Sequence, residues 1–220
     1  MAAPGKIRTI LRGAALLLIL GAVAFRPLDS GDAGDVLEKM RDKYDSIHDA
    51  KLTFTRRVVF GVTQSKQDFS GTLWMKKGNK YRIELEDQTI VTDGVSAWNY
   101  SQINNQVLVD SYKEDSLNFS PDRILVNVPE NYSAALLGEE KVGTAETSLL
   151  KLVPRSEKSN IKWMKLWVDR KEWLMKRIQL LDVADNQTTY DLGGITLNAG
   201  IPDSTFQFKP PPGVEVIDVR

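Results

Sequence analysis

Hydrophobic and polar residues alternate along residues 69–109, in short segments that turn residues separate. Alternation with a period of two predicts β-strands that have one apolar face and one wetter face. The predicted strands are Phe69–Met75, Tyr81–Leu85, Gln88–Thr92, Ser96–Ser101 and Gln106–Val109. The predicted turns are Lys77-Gly78-Asn79, Glu86-Asp87, Asp93-Gly94 and Asn104-Asn105. Because an Asp-Gly pair tolerates positive φ and favours tight hairpins, we predict consecutive antiparallel strands whose apolar face needs a cover.

A helical pattern precedes these strands. Its apolar residues recur at spacings of three, four and seven, which places them on one stripe: Val36, Leu37, Met40, Tyr44 and Ile47. The pattern predicts an amphipathic helix over Asp35–His48, with Asp35 and Glu38 in a capping box. We expect its stripe to pack against the sheet.

Residues 51–62 alternate again and predict a long strand. One face would carry five apolar residues: Leu52, Phe54, Val58, Phe60 and Val62. Arg56 interrupts that face. It either lies at the end of a pocket or marks a β-bulge, and we favour the bulge.

Beyond the central strands, the pattern predicts a second helix and a return to β-structure. Ser120 suits the N-cap and Pro121 the first helical turn, and Pro129 ends a segment with apolar Ile124 and Leu125. Residues 132–137 fit either a strand or a helix. Further strands are predicted at Thr147–Val153, Lys162–Val168, Leu174–Leu181, Thr188–Leu197 and Phe206–Phe208.

The amino-terminal residues differ from the rest of the chain of 220. Three basic residues precede an uncharged run at 13–25, which is shorter than the roughly 20 residues a spanning helix needs. Residues 1–24 are therefore predicted to be a signal peptide cut after Ala24, with an uncleaved anchor as the alternative. Residues 33–220 are then predicted to form one exported domain. Without residues 1–24 the chain has 26 basic and 29 acidic residues, net −3, and lacks the basic run of a nucleic-acid binder.

Candidate chemistry is sparse. The sequence contains no cysteine, which excludes disulfides, thiolate metal sites and a lipidated amino-terminal cysteine. His48 is the single histidine and is expected to be a solvated turn residue, so no metal or cofactor is predicted. Residues 94–98 begin like a nucleophile elbow, but Trp98 occupies the place of the second glycine. We predict that the protein is not an enzyme.

Large apolar side chains are abundant for a sheet with two predicted helices. Five tryptophans are spread over the predicted strands and turns: Trp74, Trp98, Trp163, Trp167 and Trp173. They can form a plain core, or they can line an interior that is not entirely filled and accepts an apolar ligand.

Several short motifs resemble the periplasmic lipoprotein-carrier family known as LolA. They occur in order along most of the chain after the amino-terminal run: Phe54-Thr55, Gly71-Thr72-Leu73-Trp74 with Lys76, Lys80-Tyr81-Arg82, Val91-Thr92-Asp93-Gly94, Trp98, Tyr100, Asn105-Gln106, Phe206-Gln207-Phe208-Lys209-Pro210 and Gly213-Val214. The resemblance implies a mainly β (α+β) fold, an unclosed antiparallel β-barrel or half-barrel with helices as a lid over a hydrophobic cavity. It also implies a periplasmic chaperone, expected to be a monomer, that carries acylated lipoproteins. Its partners would be an inner-membrane lipoprotein-releasing ABC exporter and an outer-membrane acceptor lipoprotein.

The resemblance also suggests a set of site residues. The cavity wall would comprise Leu52, Phe54, Leu73, Met75, Tyr81, Ile83, Trp98 and Tyr100. The lid would include Met40, Tyr44, Ile124 and Leu125. In the family an arginine after the Gly-x-Leu-Trp strand helps to hold the lid, and here Lys77 stands there, followed by Gly78 in place of proline. Arg82 matches a common family arginine in the next strand, although the alternation points it away from the apolar face. Lys77 and Arg82 are the candidates for the lid latch. An alternative function with the same fold is an exported lipid-binding or sensor module, tethered to the membrane by residues 13–25.

Overall fold

A computed structural model describes residues 30–112 and 131–220. The described elements are helix α1 Ser30–Asp45, strands β1 Asp49–Val59, β2 Lys66–Lys76, β3 Lys80–Glu84, β4 Gln88–Asp93, β5 Ser96–Ser101, β6 Gln106–Ser111, β7 Tyr132–Val142, β8 Ala145–Pro154, β9 Ile161–Asp169, β10 Met175–Asp182, β11 Gln187–Leu197, a 3-10 helix Asp203–Phe206, and β12 Glu215–Asp218. These strands join one sheet in the order β12-β6-β5-β4-β3-β2-β1-β11-β10-β9-β8-β7. Neighbours are antiparallel except β12, which runs parallel to β6. The sheet is not closed, which confirms the predicted fold class.

Helix α1 begins earlier and ends earlier than the predicted Asp35–His48. Asp35 lies inside the helix, so the predicted capping box at its start is wrong. The helix extends upstream because Ala33 is also completely buried against the sheet. Ile47 follows the helix and is still buried.

Strand β1 ends at Val59, three residues before its predicted end. Val62 is 93% exposed, so its predicted place on the apolar face is wrong. The chain turns there because Gln64, at a φ of 53°, donates its N–H to the carbonyl of Phe60 at 2.8 Å. Strand β2 then returns along the whole length of β1.

The bulge predicted at Arg56 is wrong. Arg56 pairs in unbroken register with Phe69 of β2 and with Tyr190 of β11. The irregularity in β1 lies between Lys51 and Thr53 on the β11 side. Arg56 therefore points to the same face as Phe54, as the alternative interpretation of a pocket residue requires.

The hairpins of the central strands follow the predicted turn chemistry. Gly78 and Asn79 have φ values of 89° and 59° between β2 and β3. Between β4 and β5, Gly94 has a φ of 91°, and the carboxylate of Asp93 accepts the N–H groups of Val95 and Ser96 at 2.8 Å. Positive φ is accessible to glycine without steric cost, so these positions set the register of the hairpins.

The carboxyl-terminal region contains one confirmed group of strands and one error. Strands β8 to β11 match the predicted segments within two residues at each end, and residues 132–137 form part of strand β7. Phe206–Phe208 is not a strand, because the 3-10 helix Asp203–Phe206 occupies that part of the chain. The last strand is β12, whose pairing with β6 the sequence pattern did not predict.

The pairing registers define two faces of the sheet, since residues directly opposite each other point to the same side. We call inner the face that carries Phe54, Leu73, Ile83 and Tyr190, and outer the face that carries Trp74 and Trp98. Helix α1 packs on the inner face over β7–β11, through a cluster of buried residues: Ala33, Val36, Leu37, Met40, Leu150, Leu152, Met164, Leu166, Val168, Met175, Ile178 and Tyr190.

The outer face of β3–β6 is covered by the carboxyl-terminal segment, residues 199–218. Phe206 is completely buried there, and the 3-10 helix contacts β3 and β4. Beneath this segment Val91 and Val107 have no exposed surface. The ring of Phe208 lies 5.7 Å from that of Tyr100.

The predicted signal segment or anchor, residues 1–24, and the helix predicted after Ser120 lie outside the described residues. Among residues 30–112 and 131–220, no helix combines the length and apolar character needed to cross a membrane.

Candidate functional site

The inner face holds two neighbouring cavities between its strands. We call the first the helix-side cavity, because residues of α1 and of the segment that follows it contribute to its wall, and the second the Arg56 cavity. Phe54, Ile83 and Tyr190 line both. The two cavities therefore belong to one apolar surface.

The helix-side cavity is small and apolar in character, with a volume of about 50 Å³. Its wall comprises Tyr44, Ile47, Ala50, Leu52, Phe54, Leu73, Met75, Ile83, Leu174, Ile178, Tyr190, Leu192, Ile195 and Leu197. The hydroxyl of Tyr44 accepts the N–H of Met175 at 3.1 Å. Burial raises the pKa of Tyr44 to about 12, so the phenol stays neutral at physiological pH. Little empty space therefore remains between the sheet and the carboxyl end of α1.

The Arg56 cavity is much larger, with a volume of about 510 Å³, within the range of small-molecule binding sites. Its wall comprises Phe54, Arg56, Phe69, Tyr81, Ile83, Leu85, Gln88, Ile90, Asn160, Ile161, Leu180, Asp182, Thr188 and Tyr190. Most of these side chains are apolar or aromatic. Such a surface can bind an apolar chain by removing it from water.

Arg56 is the one cationic side chain among the described residues that line this cavity. Its guanidinium carbon lies 5.5 Å from the ring centre of Phe69 and 5.9 Å from that of Tyr190. Its Nε is buried and has no hydrogen-bond partner among the described residues. Burial raises the pKa of Tyr190 to about 12, although the nearby charge of Arg56 opposes that rise.

A glycine shapes the wall beside Arg56. Gly71 lies opposite Phe54 in the register of β1 and β2. A Cβ atom at Gly71 would come within 2.8 Å of the Phe54 ring and 2.6 Å of the Glu84 carbonyl oxygen. Since real Cβ contacts are longer, only glycine leaves room for the Phe54 ring in its present position, where it lines both cavities.

The structure brings six of the eight predicted wall residues together on the inner face. Leu52, Leu73 and Met75 line the helix-side cavity, and Tyr81 lines the Arg56 cavity. Phe54 and Ile83 line both.

Trp98 and Tyr100 do not line either cavity, which corrects their predicted place. Trp98 pairs with Val91, and Val91 with Arg82, whereas Ile83 pairs with Ile90. Trp98 and Tyr100 are therefore on the outer face. Both are half-buried there, and the ring of Tyr100 lies against that of Phe208 in the carboxyl-terminal segment.

Two of the four predicted lid residues lie in the part of the chain that the structure describes. Met40 is 1% exposed and belongs to the core beneath α1, and Tyr44 lines the helix-side cavity. Ile124 and Leu125 lie outside the described residues.

The two latch candidates differ in position. The Nζ of Lys77 donates a hydrogen bond to the backbone oxygen of Asp45, the last residue of α1, at 2.8 Å. Its backbone N–H also donates to the His48 oxygen at 3.0 Å. Arg82 instead bonds Glu84 at 2.7 Å on the outer face, away from α1, so its assignment as a latch is corrected.

Sequence reasoning missed the contribution of the carboxyl-terminal strands to the site. Ile178, Leu180, Tyr190 and Leu192 line the cavities opposite β1–β4. Thr188, Tyr190 and Leu192 alternate with a period of two along β11, as the cavity residues of β1 do. This alternation is the signal that would have placed the two sets of residues on the same face of the sheet.

The titratable groups of the described residues offer little for chemistry. Within residues 30–112 and 131–220, no group of three His, Asp or Glu side chains is placed to hold a metal ion. His48 is exposed, as the sequence predicts, and its backbone N–H donates to the side-chain oxygen of Asn198 at 2.7 Å.

Comparisons with known proteins agree with this geometry. The sequence profile of the family described as outer membrane lipoprotein carrier protein LolA matches residues 45–209. The outer-membrane lipoprotein carrier protein of Haemophilus influenzae Rd is 28% identical and covers 97% of this chain and 98% of its own length. That of Pasteurella multocida is 26% identical, covering 88% of this chain and 92% of its own length. An uncharacterized protein of Methanocaldococcus jannaschii is 26% identical over 92% of this chain, and the chain spans 58% of that relative's length.

Solved structures of low sequence identity share the fold. An uncharacterized conserved protein from Thermus thermophilus has a TM-score of 0.58 at 13% identity, covering 85% of this chain and 99% of its own. LprF from Mycobacterium bovis has a TM-score of 0.51 at 10% identity, covering 80% of this chain and 97% of its own.

Proposed function

Since the chain belongs to the LolA family of outer membrane lipoprotein carrier proteins, we propose that it binds the acyl chains of lipoproteins in its inner-face cavities and carries them to the outer membrane. The proposal includes a periplasmic location, a monomeric state, release of cargo from an inner-membrane ABC exporter, and delivery to an outer-membrane acceptor lipoprotein.

The observation that carries the proposal is the Arg56 cavity, about 510 Å³ in volume and walled largely by apolar side chains. Burying one methylene group contributes about 0.8 kcal/mol, so sheltering a dozen would contribute on the order of 10 kcal/mol. A carrier needs such a surface, and it needs no catalytic group. The proposed activity is therefore binding without turnover.

Helix α1 supplies a movable cover in this proposal. It shields the helix-side cavity, whose volume is only about 50 Å³, so a bulky acyl cargo would gain more apolar surface if α1 moved away. The bond from Lys77 to the carbonyl of Asp45 holds the carboxyl end of the helix. A lysine makes a single-point contact where an arginine would offer a planar fork, so the hold on the lid is weak enough to open.

Blocking the Arg56 cavity tests the proposal. Ile90 lines it, and its neighbour Thr89 points to the outer face with a comparable exposure. Purified protein is mixed with a triacylated lipoprotein in detergent, the detergent is removed, and soluble lipoprotein that co-elutes with the protein is measured. We expect co-elution with the wild type and with Thr89→Trp, and at least a tenfold loss with Ile90→Trp. A wild-type protein that leaves all lipoprotein in aggregates would refute the carrier function.

A second candidate function is an exported lipid-binding or sensor module that uses the same cavities for another amphiphile. The charge of Arg56 favours it, because the thioether and acyl groups of a lipoprotein anchor carry no charge that would pair with a guanidinium. Lipid extraction of the protein purified from its host separates the two: free amphiphile in place of lipoprotein supports the second function. Sequencing the amino terminus of the exported protein shows whether residues 13–25 remain as an anchor.

A further inference from the structure

We propose that the Arg56 cavity selects amphiphiles with an anionic head group, a carboxylate or a phosphate, and that Arg56 binds that group while the acyl chain lies along the apolar wall. This inference rests on the binding of acyl chains to the inner face, which both candidate functions share, and it favours the second of them, because the anchor of a lipoprotein carries no anionic head group.

The position of Arg56 is the starting point. Unbroken pairing on both sides of β1 directs its side chain to the inner face, between Phe69 and Tyr190. The next residue, Arg57, points outward and forms a bidentate salt bridge with Asp68 at 2.8 Å. Adjacent arginines on one strand thus have opposite surroundings, and within the described part of the chain the outward one alone has a carboxylate partner.

The electrostatic state of Arg56 favours an anionic ligand. No described carboxylate lies within salt-bridge distance of its guanidinium, and its Nε is buried without a hydrogen-bond partner among the described residues. Two aromatic rings within 6 Å stabilise the charge only in part. Arg56 is half-buried, and a partly buried charge without a counter-charge is costly. A carboxylate or phosphate offers the geometry that matches the guanidinium fork.

Asp182 is the one carboxylate among the described residues that line the cavity, and its oxygens already accept hydrogen bonds from neighbouring residues. Its oxygens accept hydrogen bonds from the backbone of Ala184 and from the backbone and side chain of Asn186, each at 2.9 Å. These bonds hold Asp182 within its own turn. The charge of Arg56 therefore stays available to a ligand.

A ligand that fills the cavity displaces its water, and this loss of water strengthens the preference for an anionic head group. A neutral acyl chain that displaces water from the apolar wall also removes water from Arg56, which leaves the guanidinium desolvated and unpaired. An acyl chain with an anionic head brings the missing counter-charge at the same time. The same apolar contacts should then yield tighter binding for the anion than for its neutral counterpart.

Matched fluorescent probes test this selection. cis-Parinaric acid and its methyl ester have the same acyl chain and differ at the head group, which is an anionic carboxylate in the acid and a neutral methyl ester in its counterpart. We expect the wild type to bind the acid about tenfold more tightly than the ester, the size of one charge-assisted hydrogen bond. Arg56→Gln should bind both probes equally, Arg56→Lys should keep part of the preference, and the control Arg57→Gln should keep all of it.

Competition distinguishes the two anionic head groups. Hexadecanoate and hexadecyl phosphate should each displace bound parinaric acid from the wild type at lower concentration than hexadecanol, and the stronger of the two identifies the head group. All variants are first checked for wild-type circular dichroism and a cooperative thermal transition, and Arg56→Lys serves if Arg56→Gln does not fold.

The outcomes separate this inference from the proposed function. Equal binding of acid and ester by the wild type, or loss of the preference in Arg57→Gln as large as in Arg56→Gln, would overturn the selection while acyl-chain binding stands. If neither probe binds to the wild type, both proposals fail.

Discussion

Strands β3–β5 have apolar residues on both faces, and the two faces are covered in different ways. The outer face is closed by the carboxyl-terminal segment, which Phe206 anchors without any exposed surface and which ends in a strand paired with β6. Two ion pairs, from Lys76 and Lys80 to Asp203 at 2.6 and 2.9 Å, add to this attachment. The inner face is bordered by a cavity of about 510 Å³ and, in the part of the chain that the structure describes, by helix α1.

The difference shows how one sheet can separate stability from ligand binding. The outer cover combines burial, strand pairing and ion pairs, so removing it would cost several kinds of interaction at once. On the inner face, α1 has no strand pairing, but it is also held by burial, through Ala33, Val36, Leu37 and Met40. Its carboxyl end is held by side-chain bonds of Lys77 and Tyr44. The outer cover is therefore expected to be permanent, and the inner cover to be the one that opens.

The largest expected effect is on the outer cover. Phe206→Ala should lower the free energy of unfolding by about 3–5 kcal/mol, because Phe206 is completely buried and its truncation leaves a cavity. Chemical denaturation measures this change, and binding of parinaric methyl ester by the folded protein should be unaltered. Phe208→Ala, at a half-buried position two residues later, should cost less. Equal losses for the two variants would contradict a cover anchored by Phe206.

A smaller effect is expected on the inner cover. Lys77→Met removes the bond to the carbonyl end of α1 and a favourable charge near the negative end of its dipole, together about 0.5–1 kcal/mol. Hydrogen exchange should become faster in residues 36–45, and loading of parinaric methyl ester should also become faster. Lys77→Arg, which keeps the charge and donors, is the control. Unchanged exchange in α1 after Lys77→Met would show that this bond does not hold the helix.

The smallest expected effect is on the stability of the protein at acidic pH. The hydrogen bonds from Lys76 and Lys80 lower the pKa of Asp203 to about 2 from its ordinary value of 3.8. Because the pKa is lower in the folded state, the two ion pairs of Asp203 stabilise that state above pH 3.8, and this contribution is lost as the pH falls toward 2. It is modest because Asp203 is exposed and screened by solvent.

Comparing unfolding of the wild type and Asp203→Asn between pH 5 and pH 2 isolates this contribution. The wild type should lose more stability over that interval, and added salt should reduce the difference. Parallel curves for the two proteins would mean that the ion pairs do not attach the outer cover.

The strands were predictable because most of them alternate apolar and polar residues, and their hairpin turns need residues that tolerate positive φ. The covers were less predictable. In residues 96–101, Trp98 and Tyr100 share a face, as core residues do. Alternation alone cannot tell whether the face that carries them borders a cavity or is covered by another segment of the chain. Placement of Trp98 on the outer face depends on the tertiary position of the carboxyl-terminal segment.

Arg56 shows a second limit of sequence reasoning. A charge on the apolar side of a strand suggests an irregular register, because burial of a charge is costly. The structure keeps the register and places the guanidinium between two aromatic rings. Those rings come from Phe69 and from Tyr190, which is distant in sequence, so the arrangement depends on a pairing that local patterns do not encode. Strand β12 was missed for the same reason.

The order of strands in the sheet has a consequence for how the protein folds. The hairpins of β2–β6 connect neighbours in sequence and can form early. In contrast, the paired residues of β1 and β11 lie 128 to 147 positions apart, from Val59 with Gln187 to Ala50 with Leu197. Strand β12 likewise reaches back 109 residues from Glu215 to Gln106. Contacts of such long range form slowly. Until nearly the whole chain is available, the apolar side of the early hairpins stays exposed, and in that interval the nascent protein itself needs protection from aggregation.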